Sequence, residues 1–132
     1  HLAAQLAARF PQASAQTIDF LSTGELLYNA HSKDDMDYSP LLLQYAKAFE
    51  NELMLCLQSK NVLAADKRYT LGELVQHIEP YCDAKTAVHA RELLKHRNRA
   101  VHKGRTDSAT LQSVRNGLLN KGWLEAVLRL KA

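Results

Sequence analysis

A chain of 132 residues with 46% hydrophobic and 23% charged residues has enough apolar surface for one domain with one core, which argues against a disordered segment. No apolar run approaches the ~20 residues that span a bilayer, and no signal peptide is visible, so no membrane association is expected. The formal net charge of +3 hides a division: residues 1–84 hold six Lys/Arg against eleven Asp/Glu, whereas residues 85–132 hold eleven against three. A basic half of this kind attracts polyanions, although a solvated helix face is the plainer reading of the same charges. The chain opens on His1 rather than Met, the start expected of an excised domain or a tag remnant.

The hydrophobic pattern is helical throughout, with no alternating run that reads as a strand. Residues 2–9 suit a short leading turn closed by Pro11. A first helix is expected over about 14–30, where Ile18, Leu21, Leu26 and Tyr28 are apolar and Gly24 is a weak point; a polar loop, 32–37, follows. The second helix is the best defined. Ser39 is expected to cap it, and Pro40 suits the first turn, where a missing N–H costs nothing. Its apolar set, Leu42, Tyr45, Ala46, Phe49, Leu53, Cys56 and Leu57, is wide enough to put this helix at the centre of the core.

The third helix begins at Thr70, whose spacing to Glu73 is that of a capping box, and stops near Pro80. A fourth runs from about Asp83 toward His102, with Ala87, Ala90, Leu93, Leu94 and Val101 facing the core, until Lys103-Gly104-Arg105 breaks it. The fifth starts after Asp107 or Ser108 and carries Leu111, Val114 and Leu118. Gly122 then separates a last apolar turn, where Trp123 is expected as an anchor, with a dimer contact as the alternative. The expected fold is all-α, an antiparallel bundle of four to five helices forming a single domain over 1–132. The two cysteines, Cys56 and Cys82, are expected as reduced thiols in a cytoplasmic protein.

Candidate chemistry gathers at the end of the fourth helix, in Arg97-Asn98-Arg99-Ala100-Val101-His102. The arginine fork can hold two phosphate oxygens, and histidine exchanges protons near neutral pH. Asn98 and His102, four residues apart, share a face, while Arg97 lies about 140° from His102 round a straight helix and would converge with it best if the helix loosens near its end. Lys95, Arg99, Lys103 and Arg105 surround this hexad and are candidates for binding an RNA backbone. Other sites are weaker. His89 and His96 share a face but lack further ligands at zinc spacing. Glu50 could bond Arg97 across the bundle, though a surface or core salt bridge is the plainer role, and Tyr45 reads as core with its hydroxyl satisfied. There is no glycine-rich phosphate loop and no Ser or Cys nucleophile arrangement.

Arg97-Asn98-x-x-x-His102, late in an all-helical chain, resembles the signature of the HEPN superfamily (higher eukaryote and prokaryote nucleotide-binding domains). The stretch from Asp37 to Leu53 is similar to the core helix of many prokaryotic members, so the resemblance covers about residues 14–130. It implies a metal-independent endoribonuclease without a cofactor. In that reading Arg97 binds and polarises the scissile phosphate, His102 is the general acid/base for attack by the RNA 2′-hydroxyl, and Asn98 assists. The products would be a 2′,3′-cyclic phosphate and a 5′-hydroxyl. Members usually dimerise, so that two motifs form one cleft. A toxin, phage-defence or stress system is the implied setting, with an antitoxin or an attached N-terminal effector domain as partner. The same superfamily includes non-catalytic modules that bind nucleotides, RNA or proteins, which is the alternative reading.

Overall fold

A computed structural model describes residues 1–131, and among them all regular structure is helical. The elements are α1 (Leu2–Arg9), α2 (Ala15–His31), α3 (Ser39–Ser59), α4 (Leu71–Ile78), α5 (Ala84–His102), α6 (Ser108–Asn120) and α7 (Trp123–Leu130), with a 3₁₀ turn over Glu79–Tyr81 after α4. The expected leading and closing turns are thus full short helices. None of the helices is long and apolar enough to cross a membrane.

Local capping chemistry explains most of the boundaries. The side chains of Ser14, Thr70, Asp83 and Asp107 each accept from an amide in the first turn of α2, α4, α5 and α6, satisfying donors that have no partner within the helix. Thr70 and Glu73 complete the expected capping box. The start of α3 differs from expectation. Ser39 is the first helical residue and does not cap it; Asp37 Oδ1 accepts from the Ser39 amide and hydroxyl instead, and the hydroxyl also donates to the Gly104 carbonyl. Ser39 is drawn to a distant loop rather than to its own helix end.

Helix α3 is the hub, packing against α2, α4, α5, α6 and α7 while α1 lies on α2. Leu42, Tyr45, Phe49, Leu53, Cys56 and Leu57 are all fully buried, as its wide apolar face predicts. Two carboxylates are buried with them. Glu52 accepts from the Ser14 amide, the Thr17 hydroxyl and the Lys131 ammonium, tying α2, α3 and the end of the chain together. Glu25 receives two hydrogen bonds from Arg115, at 2.6 and 3.0 Å, and one from the Tyr45 hydroxyl at 2.6 Å. Burial alone would raise the Glu25 carboxyl, but the hydrogen bonds from Arg115 and Tyr45 outweigh it and hold the group below its usual range. Gly24 has a reason in the same place: a Cβ there would stand 3.0 Å from the Tyr45 ring, so glycine lets the phenol reach Glu25.

Val101, read as facing the core, does not: it is 45% exposed, and Leu26, one of the apolar residues of α2, is 62% exposed. Ala100, seven residues after Leu93, takes the inward position, which leaves Val101 about 100° round the helix. Trp123 is 6% exposed and belongs to its own core, its indole packed against Gly117 and stacked on His89 with ring centroids 5.1 Å apart.

Glu25→Ala leaves Arg115 without its carboxylate and the Tyr45 hydroxyl without its acceptor. The expected loss is about 3 kcal/mol of stability, the lower end for a broken buried pair because Arg115 keeps some solvent contact. Urea unfolding checks it; an unchanged midpoint would show that the pair contributes nothing net.

Candidate functional site

Helix α5 presents the candidate residues. Thr86, Ala87, Ala90, Leu93 and Ala100 are buried along one face, with Leu94 partly buried beside them, so the remaining faces carry the charge. The helix stays regular through His102; the Lys103 amide still donates to the Arg99 carbonyl at 2.8 Å, and only at Gly104, with φ at +88°, does the chain turn away. That positive φ is one a side chain would resist. The loosening that would bring them together does not occur before His102, and Arg97 and His102 of one chain stay about 140° apart round α5.

Arg97 is half-buried on the side facing α3, and its one hydrogen bond among the described residues runs from Nη1 to Asn98 Oδ1 at 3.3 Å. Glu50 on α3 senses its charge without bonding it. Burial raises the Glu50 carboxyl above its usual range, and the positive charges of Arg97 and Lys47 pull it only part of the way back. Glu50 makes neither the bond to Arg97 nor a salt bridge among the described residues; the core ion pair of this stretch belongs to Glu52. Asn98 and His102 are both exposed on one face, with the exposed Val101 beside them, and no hydrogen bond or ion pair among the described residues involves the His102 ring.

The four candidate RNA-binding cations are all exposed, but they do not form one group. Arg99, Lys103 and Arg105 line a cavity of about 410 Å³ between the end of α5 and the start of α6, together with His96, Thr106, Asp107 and Thr110. Lys95, Asn98 and His102 do not line it. The grouping follows from helix geometry, since residues 96, 99 and 103 are spaced three and four apart and share a face. That spacing was readable in advance for His96, which sequence reasoning placed only in a basic stretch and beside His89. Thr106 and Thr110 gave no such signal, because a loop brings them in. His89 is committed to its stack with Trp123, and among the described residues no three His, Cys, Asp or Glu side chains come together as a metal ion would need.

The wall of this cavity is pinned to the far end of α3. Asp37 Oδ1 accepts from the Thr106 amide at 2.8 Å, the Thr106 and Ser39 hydroxyls are 2.8 Å apart, and the Tyr38 amide donates to the Thr106 carbonyl. Arg105 pairs with the exposed Asp35 just upstream. These bonds fix where α5 ends and hence where His102 stands. Compared with protein-family models, curated proteins and solved structures, the chain matches none.

The hydrogen bonds from the Thr106 and Ser39 amides and the Ser39 hydroxyl hold the Asp37 carboxyl below its usual range. A group whose folded pKa is depressed stabilises the fold above its unfolded value, near pH 4, and loses that contribution as pH falls through the folded value. Asp37→Ala is expected to cost about 1 kcal/mol at pH 7, as for a lost cap. The difference in melting temperature from wild type should shrink below about pH 4. A difference that is constant from pH 7 to pH 3 would show that Asp37 acts without its charge.

Proposed function

We propose that the chain is a metal-independent endoribonuclease of HEPN type, acting as a homodimer in which Arg97, Asn98 and His102 of two copies share one cleft. The observation that carries this reading is the pairing of an exposed His102, unengaged among the described residues, with an Arg97 that a regular helix keeps on another side of the same chain. One copy does not converge the motif; a second copy, apposed at the ends of the α5 helices, can. The exposed Val101 beside His102 supports an apposed surface there, and the +8 half of the chain supports a polyanionic substrate. The all-helical fold around α3 supports the antiparallel HEPN-like bundle.

In this mechanism one His102 takes the proton from the RNA 2′-hydroxyl. The freed oxygen attacks the adjacent phosphorus, the bond from phosphorus to the 5′-oxygen breaks, and the partner's His102 gives that oxygen its proton. Arg97 holds the phosphate oxygens as negative charge grows on them, and Asn98 orients its neighbour or the substrate. A 2′,3′-cyclic phosphate and a 5′-hydroxyl result. A cytoplasmic toxin, phage-defence or stress-response role, held in check by an antitoxin or an attached effector domain, fits such an activity. The alternative is a non-catalytic HEPN-like module that binds nucleotide, RNA or protein. Its supporting observation is Arg97, whose charge is already partly answered by Glu50.

RNA cleavage in EDTA by wild type, with rates at least ~100-fold lower in both Arg97→Ala and His102→Ala, is the expected outcome. Gel analysis of end-labelled RNA should show cyclic-phosphate ends, and sedimentation should show a dimer. Cleavage abolished by EDTA, or persisting in both variants, overturns the proposal; RNA binding with no cleavage selects the non-catalytic module.

A further inference from the structure

We propose that the cavity between the end of α5 and the start of α6 is a separate phosphate subsite, which holds the backbone of an RNA strand beside the Asn98 and His102 face. The choice of RNA as ligand rests on the nucleic-acid reading above; the site itself does not depend on cleavage. Arg99, Lys103 and Arg105 converge on about 410 Å³ of open space, and Arg99 and Lys103 have no acidic partner among the described residues. Arg105 has one, Asp35, but that aspartate is 95% exposed, and an ion pair so solvated exchanges readily for a phosphate. The single carboxylate on the wall, Asp107, is engaged with the Thr110 amide at 2.8 Å, so three cations face one anion already in use.

His96 gives the site a feature that a solvated charged face lacks. Its side chain is only 19% exposed, its Nδ1 is buried with no hydrogen-bond partner, and Glu92 stands 3.9 Å from its Nε2. That unpaired atom is costly and closed off from the open space, so a small shift of this wall residue would be needed for it to bond a phosphate oxygen in the cavity. The α6 N-terminus is not itself the attraction, since Asp107 already caps it. The attraction lies in the side chains, and the loop that forms one wall is held in place because Thr106 is stapled to Asp37, Tyr38 and Ser39. Two arginine forks and an ammonium suit phosphate oxygens. Arg99 is about 60° round α5 from His102 and roughly one turn from it. A strand whose scissile phosphate meets His102 would therefore lay a flanking phosphate over Arg99 and Lys103 into the cavity.

The test is fluorescence anisotropy with a fluorescein-labelled, fully 2′-O-methylated oligoribonucleotide, which has no 2′-hydroxyl to react and so reports binding alone. The double variant Arg99→Ala/Lys103→Ala should weaken binding at least ~10-fold and reduce the slope of log affinity against log salt by about 1.4, as for two lost phosphate contacts on a single strand. His96→Gln, which removes no formal charge, should weaken binding by at least ~3-fold if the imidazole meets a phosphate, a modest share of a charge-assisted bond. The charge-matched control is Lys85→Ala/Lys121→Ala, exposed positions away from the cavity. Equal losses in both double variants would reduce the effect to the general field and overturn the subsite, as would wild-type affinity in His96→Gln together with Arg99→Ala/Lys103→Ala. Complete displacement of the oligonucleotide by equimolar inorganic phosphate would assign the cavity to a free anion, and by poly-glutamate to an acidic protein; either overturns the proposal. Wild type that binds this oligonucleotide through the cavity but fails to cleave natural RNA would leave the subsite standing and remove the ribonuclease reading.

Discussion

Asp37 Oδ1 accepts hydrogen bonds from the Ser39 amide at 3.0 Å, the Ser39 hydroxyl at 2.7 Å and the Thr106 amide at 2.8 Å, and through them joins the start of α3 to the loop that ends α5. Everything that gives the candidate site its shape lies on one side or the other of that joint. On one side is the fully buried face of α3, which fixes the core; on the other are His102, Gly104 and the cationic cavity wall. A loop of five residues between two helices would ordinarily be free to fray, since its backbone groups face water. Here Thr106 is 6% exposed and bonded through its amide, its carbonyl and its hydroxyl. The position of the last turn of α5 is therefore inherited from the core rather than set locally.

This dependence explains which features could be read along the chain. Caps are local chemistry, so Ser14, Thr70, Asp83 and Asp107 mark helix starts within a residue or so of their observed places. The centre of the core was legible because the apolar set of α3 is too wide for a helix with only one covered face. The role of Ser39 was misread and the reason for Gly24 was hidden on one shared ground. Each is decided by a residue remote in sequence: Ser39 by Thr106 and Gly24 by the Tyr45 ring. The pairings of Glu25 with Arg115 and Glu52 with Lys131 were equally out of reach, since partners 90 and 79 residues apart leave no local spacing to find.

The candidate site shows the same boundary between what periodicity settles and what it leaves open. Helical spacing placed Asn98 and His102 on one face and Arg97 on another, and the structure keeps them there. It left open whether the helix would distort to unite them. A regular last turn, closed by the Lys103 amide on the Arg99 carbonyl, costs nothing, whereas unwinding it would leave those groups to find other partners. Nearness in sequence grouped the cations of the stretch as one basic patch. The folded chain divides them, because a face of α5 carrying residues 96, 99 and 103 meets the stapled loop and encloses space, while Lys95 and His102 stay on open surface.

Placing so many positive side chains at the end of α5 also has an energetic logic independent of any ligand. The last turn of a helix carries unsatisfied carbonyls and a partial negative charge, which favours Arg99 and His102 in the final turn and Lys103 just beyond it by a few tenths of a kcal/mol each. The field that attracts an anion is thus tolerated by the fold where it sits. Arg97 is the exception. It lies a turn further in, half-buried against α3, where the helix end no longer helps and the only carboxylate close enough to sense it is one that burial holds above its usual range. An arginine in that position, bonded only to the neighbouring Asn98 and facing a carboxylate it does not pair with, is held there by the packing of α5 on α3 more than by an ion pair. That separates it physically from Lys95, Arg99 and Lys103, which stand exposed on the other faces of this helix end.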